Sequence, residues 1–146
     1  YSYKDEKYYE IIKKYLQKNN LEKNVIDIGR VDYEEIPKYI ADADIYISIP
    51  KSDSSPKSVY EAMSCGTPCV ISNIEWTNNF IIHQKHAFLT KWENEKKIFY
   101  SMKETIYNDK LRDTIIANGK KLVSSKIDYH KNMSKMEDLM LDEIGK

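Results

Sequence analysis

Residues 45–72 read Ile45-Tyr46-Ile47-Ser48-Ile49, then Pro50-Lys51-Ser52-Asp53-Ser54-Ser55-Pro56, then Lys57-Ser58-Val59-Tyr60-Glu61-Ala62-Met63-Ser64-Cys65, then Gly66-Thr67-Pro68 and Cys69-Val70-Ile71-Ser72. The first five are uncharged and rich in residues that fit a pleated, half-buried surface, so they predict a strand. A polar loop bounded by two prolines follows. Lys57 to Cys65 returns to helical character until Gly66 and Pro68 break it. Cys69 to Ser72 is a short apolar run, the pattern of another buried strand. Strand, helix and strand in this order predict a parallel βαβ unit.

The same alternation extends in both directions from this unit. Upstream, Tyr8, Ile11, Ile12, Tyr15 and Leu16 recur at helical spacing over residues 5–18, and Asn19-Asn20 ends that helix. Val25-Ile26-Asp27-Ile28 predicts a short strand stopped at Gly29, and a second helix is expected over about 33–41 with Ile36, Tyr39 and Ile40 on its buried face. Downstream, a short helix over about 76–83 and a last strand at His86-Ala87-Phe88-Leu89 precede helices over about 93–107, 109–123 and 128–143. The expected fold class is therefore α/β, a Rossmann-like open parallel sheet with flanking helices, forming one domain over 1–146 with residues 128–146 as a C-terminal helix. Ligands of such sheets bind beyond the carboxyl ends of the strands, which singles out the loops 29–33, 50–57 and 72–79.

Composition removes several function classes. Lys and Arg number 23 and Asp and Glu number 23, so no net field draws this chain onto nucleic acid. Nothing approaches the ~18 consecutive apolar residues of a membrane span, and the start, Tyr1 to Lys7, has no apolar signal region, so a cytoplasmic protein is expected. The glycines, at 29, 66, 119 and 145, are too scattered for a GxGxxG turn or a P-loop. No GxSxG elbow is present either. Cys65 and Cys69 lack a second pair to complete a zinc site and are expected to be buried, inert thiols. His83 and His86, three apart, have no third ligand at suitable spacing, so no metal is assigned and surface positions are expected for both.

The loop and helix after residue 49 carry the chemistry. Ser54, Ser55 and the amides around Lys57 and Ser58 would stand at a helix N-terminus, where unpaired N–H groups and the helix dipole favour an anion such as a diphosphate. Lys57 adds a positive charge. Glu61, one turn further along and flanked by Tyr60, Ala62 and Met63, is costly to bury unless solvated or bound, and its carboxylate suits a diol such as ribose. Asp53 would bring a second carboxylate to the same pocket. The alternative is that Asp53 or Ser55 merely caps the helix.

Several of these stretches resemble one family. Glu61-Ala62-Met63-Ser64-Cys65-Gly66-Thr67-Pro68-Cys69-Val70-Ile71-Ser72 resembles the "EAMAxGxPVVxS" signature in the nucleotide-sugar-binding half of glycosyltransferase family 4, a retaining family of GT-B fold. Asp53 to Glu61 is similar to its E-x7-E element, with Asp in place of the first Glu. Val25-Ile26-Asp27-Ile28-Gly29-Arg30-Val31 resembles its "VxFxGxV" segment, and Ile36-Pro37-Lys38-Tyr39 with Ala43-Asp44-Ile45 resembles "IPxYYxxADI".

The resemblance implies a transferase that moves a sugar from a UDP- or GDP-linked donor to a hydroxyl acceptor, in polysaccharide, glycolipid or glycoprotein synthesis. Asp53 then takes the catalytic position against the donor sugar. Glu61 binds the ribose, Ser54, Ser55, Lys57 and Ser58 approach the sugar and diphosphate, and Gly29 and Arg30 lie near the base. The nucleotide sugar is a substrate, so no cofactor is implied. The resemblance also implies that the acceptor is held by an N-terminal domain outside this chain, which would carry any peripheral contact with the inner membrane surface. The Arg and Lys that neutralise the diphosphate are expected before Tyr1. Without the strands that carry them, the family's strand order 3-2-1-4-5-6 would leave a gap between residues 25–28 and 45–49, to be closed by direct pairing of those two strands or filled by another chain unless the N-terminal match is out of place, and this fragment alone is expected to be inactive. Two other classes stay open: a sugar-nucleotide epimerase of similar fold, and a non-catalytic interaction module.

Overall fold

A computed structural model describes residues 5–54 and 56–144, which divide into two compact units at the Asp32–Tyr33 junction. In the first unit, α1 spans Glu6–Lys18. Asp5 caps it by accepting the Lys7 and Tyr8 N–H groups at 3.1 and 3.2 Å, while Glu6 in the first turn and Lys18 in the last complement the dipole. The helix stops at Asn19, whose side-chain amide donates to the Tyr15 carbonyl at 2.7 Å, and Asn20 turns the chain with φ 56. The apolar stripe predicted from the sequence is real, yet Tyr8, Ile11, Ile12 and Tyr15 are all exposed. A 3₁₀ turn at Glu22–Asn24 follows.

Val25–Ile28, expected to be a strand, forms no ladder among the described residues, and Ile26 is 85% exposed. Three of its four residues are apolar, but a strand exists only where a neighbour completes its backbone hydrogen bonds. Here the Asp27 side chain organises the chain instead. Its Oδ1 accepts the Gly29 N–H at 3.0 Å and its Oδ2 accepts the Tyr9 hydroxyl at 2.6 Å.

The second unit contains the sheet. β1 (Tyr46–Ser48), β2 (Cys69–Ser72) and β3 (Phe88–Thr90) are parallel in the order β1-β2-β3, with Tyr46 opposite Cys69 and Val70 opposite Phe88. The described residues of this unit also form six helices, α2 (Ile36–Ala41), α3 (Lys57–Cys65), α4 (Glu75–Phe80), α5 (Glu95–Tyr107), α6 (Asp109–Leu122) and α7 (Tyr129–Ile144), with a π turn at Val123–Ile127 before the last. β2 is buried along its whole length because it has a strand on each side and helices over each face. Cys69 and Ile71 join Ile40, Val59, Ala62, Met63, Ile81 and Ala87 in one core layer. Val70 points the other way, to Phe88 and Ile115.

Three local expectations need correction. Tyr39 is exposed, so α2 buries Ile40, with Ile36 half-buried. α4 runs Glu75–Phe80 and stops short of the expected residue 83, because the Ile82 N–H donates to His86 Nδ1 at 3.1 Å and does not continue the helix. β3 starts at Phe88 and not at His86, because a turn has already engaged that backbone: the His86 N–H donates to Ile82 O at 3.0 Å and the Gln84 N–H to Ala87 O at 2.8 Å.

α3, which positions the candidate site, has the bounds that the sequence predicts. Gly66 ends it in the left-handed region, φ 84, with its N–H on Met63 O at 3.1 Å and the Thr67 N–H on Ala62 O at 3.0 Å. The Thr67 hydroxyl then donates to Ile40 O at 2.7 Å, tying the turn to the end of α2.

Candidate functional site

The loop from Ile49 to Pro56 carries the chain from β1 into α3, so the first turn of α3 stands at the carboxyl end of the sheet. Pro56 occupies the N-cap position, and no side chain caps the helix among the described residues. The capping alternative for Asp53 is therefore not realised. Asp53 is exposed, and its Oδ1 accepts the N–H of its neighbour Ser54 at 2.6 Å. Ser55 lies outside the described residues. Lys57 is the first residue of α3, with a highly exposed side chain. The half-buried Ser58 is turned toward the sheet, where its Oγ accepts the Tyr46 hydroxyl at 2.9 Å. That side chain braces α3 against β1.

Glu61 sits one turn beyond Lys57 with its side chain only 26% exposed. Its Oε1 accepts the Tyr33 hydroxyl at 2.9 Å, and the Lys57 ammonium lies 4.0 Å from the same oxygen. The Lys57 Nζ donates to the Tyr33 oxygen at 3.2 Å and stands 5.2 Å from the centre of its ring. That hydrogen bond to Tyr33, with a smaller contribution from the Glu61 charge, holds the Lys57 ammonium above the ordinary lysine range. Beside the carboxylate lies a small cavity of about 60 Å³ walled by Tyr33, Ile36, Pro37 and Ile40. The site thus presents an anion-seeking ammonium, a carboxylate acceptor and an apolar wall within one patch of the second unit.

Tyr33 was not singled out from the sequence. It falls in one of the three loops that the topology picks out, but the chain holds 12 tyrosines and nothing in the spacing says which one meets Glu61. Gly29 and Arg30 belong to the first unit, Gly29 with φ 70 at an aspartate turn and Arg30 exposed.

The histidines and cysteines take other roles. His83 Nδ1 accepts the Leu89 N–H at 3.0 Å and His86 Nδ1 accepts the Ile82 N–H at 3.1 Å. His86 is buried, against the surface position expected of it. Desolvation lowers the pKa of both, and Lys85 lowers that of His86 further. Among the described residues no group of three His, Cys, Asp or Glu side chains is placed to hold a metal ion. Cys69 is fully buried and its thiol is pushed up to about 12 by desolvation, whereas Cys65 is half-buried.

The sequence profile described as "Glycosyl transferases group 1" matches residues 5–122, well over half of the chain. The chain belongs to that family. A curated relative, the UDP-Gal:alpha-D-GlcNAc-diphosphoundecaprenol alpha-1,3-galactosyltransferase of Escherichia coli, is 24% identical over 125 residues, covering 86% of this chain and 32% of the relative. Anabaena HepE, solved in complex with UDP-glucose, superposes with a TM-score of 0.86 at 18% identity, over 96% of this chain and 38% of HepE. The C-terminal domain of a glycosyl transferase group 1 family protein from Francisella tularensis superposes with a TM-score of 0.78 at 22% identity, over 88% of this chain and 66% of that one. These likenesses show the fold, an open parallel sheet of the kind found in one half of GT-B proteins. The chain spans about a third of the length of the curated relatives it matches. No described helix of this group 1 member is long and apolar enough to cross a membrane.

Proposed function

We propose that this chain is the donor-binding part of a retaining glycosyltransferase of family 4 that moves a sugar from a UDP-linked donor to a hydroxyl acceptor. The observation that carries this reading is the pairing of Glu61 with Lys57 on the first turns of a helix that no described side chain caps. A diphosphate needs positive charge and free N–H groups, and a ribose needs an acceptor one turn away. The uridine class is chosen because HepE binds UDP and UDP-glucose and because the E. coli relative is named for a UDP-sugar.

In this reading Lys57 and the loop from Ser54 to Ser58 receive the diphosphate and stabilise it as it departs. Glu61 receives the ribose diol. Asp53, free of any capping duty, stands at the sugar and positions it, with attack by the acceptor on the same face. The acceptor, and any contact with a membrane, are assigned to a domain beyond this chain, consistent with the third of its relatives that it spans.

Calorimetric titration with UDP tests the reading. Saturable binding is expected, weakened about tenfold or more by Glu61→Ala, the order of one lost charge-assisted hydrogen-bond pair. Equal affinity in wild type and Glu61→Ala would overturn it.

A further inference from the structure

We propose that Tyr33 is a positioning residue for Glu61, holding one carboxylate oxygen so that the other stays available to a vicinal diol; this rests on the donor reading above. The geometry has one possible polarity. An ammonium can only donate and an ionised carboxylate can only accept, so the Tyr33 oxygen takes a hydrogen from Lys57 while its own proton goes to Glu61 Oε1. Each bond strengthens the next. Oε2 accepts no hydrogen bond from any described residue.

Removing the Tyr33 hydroxyl would change this in two ways. Glu61 would regain rotamer freedom that a bound diol must then freeze. Lys57, four residues before Glu61 on α3 and only 4.0 Å from Oε1, would also be free to close on the carboxylate and take the acceptor sites that the diol needs. The hydroxyl therefore keeps the two charges associated but apart, one for each part of a nucleoside diphosphate. The Tyr33 ring meanwhile remains a wall of the small cavity.

The test compares UDP with its 2′,3′-dideoxy analogue, which lacks the diol, on the full chain. Tyr33 is exposed, so Tyr33→Phe removes one hydroxyl and keeps the fold, as a thermal melt would verify. Wild type is expected to prefer UDP by about tenfold, and both Tyr33→Phe and Glu61→Ala are expected to bring that ratio close to one. A merely structural Tyr33 would weaken both nucleotides together and leave the ratio intact. If Glu61→Ala abolishes the preference and Tyr33→Phe preserves it, the role of Tyr33 falls and the donor reading stands. If wild type shows no preference for the diol, the donor reading itself fails at Glu61 and the role of Tyr33 goes with it.

Discussion

α1 and α3 both repeat apolar residues at helical spacing, yet they end in opposite environments. α3 buries Val59, Tyr60, Ala62 and Met63, which at about 1.5–3 kcal/mol for each large side chain anchors it to the sheet. α1 buries nothing and leaves Tyr8, Ile11, Ile12 and Tyr15 in solvent. The same contrast separates Cys69–Ser72, a strand with neighbours on both sides, from Val25–Ile28, an apolar run with no ladder among the described residues. Periodicity and composition are properties of a segment. Burial and pairing are properties of what lies beside it.

Core truncation should break this contrast most visibly. Ile71, 1% exposed at the centre of β2, should cost about 2–5 kcal/mol on truncation to alanine, whereas Ile26→Ala should stay within about 0.5 kcal/mol. Urea denaturation of the two variants measures both, and a similar loss for each would mean that Val25–Ile28 is packed in solution.

The two left-handed glycines give an intermediate effect. Gly29, φ 70, has open space where a Cβ would go, while a Cβ on Gly66, φ 84, would lie 2.6 Å from Lys120 Cε. Because that contact is with the far end of a flexible side chain, backbone strain should decide both, at about 1–2 kcal/mol for each alanine variant. A Gly66→Ala cost several-fold above that of Gly29→Ala would show that Lys120 is held in place.

The smallest effect is expected with pH. His83 and His86 lie in the second unit, and the first contains no histidine. Their lowered folded pKa values mean that the unfolded chain takes up protons first as pH falls. Stability should thus decline as pH drops below about 6.5, the unfolded histidine value, toward the folded values, and be fully present above it. Melting temperatures between pH 7.5 and 5.5 report this, and His86→Gln should flatten the slope. A slope unchanged in His83→Gln and His86→Gln variants would assign the acid response elsewhere.

Much of the site was readable from its neighbourhood in the chain. Lys57 and Glu61 are one helical turn apart, so their proximity follows from α3 alone, and α3 has strong local punctuation at Pro56 and Gly66. Asp53 was legible as an exposed loop carboxylate but not as a residue with no capping role, because Pro56 takes the N-cap position. The long-range partner was not legible. Tyr33 is 28 positions from Glu61, and their meeting depends on how α2 packs on α3. Similarly, the bond from the Tyr46 hydroxyl to Ser58 Oγ joins residues 12 positions apart and depends on how α3 packs on β1.

Local interactions therefore settled the order of elements from α2 onward, the length of α3 and its stop at Gly66, all governed by contacts within a few residues. Tertiary packing decided which apolar segments became core, that Val25–Ile28 joined no ladder among the described residues, and which of the tyrosines reached Glu61. Helical hydrogen bonds close within one turn, whereas a strand, a buried face or a polarised Lys57–Tyr33–Glu61 chain requires groups far apart in sequence to arrive together.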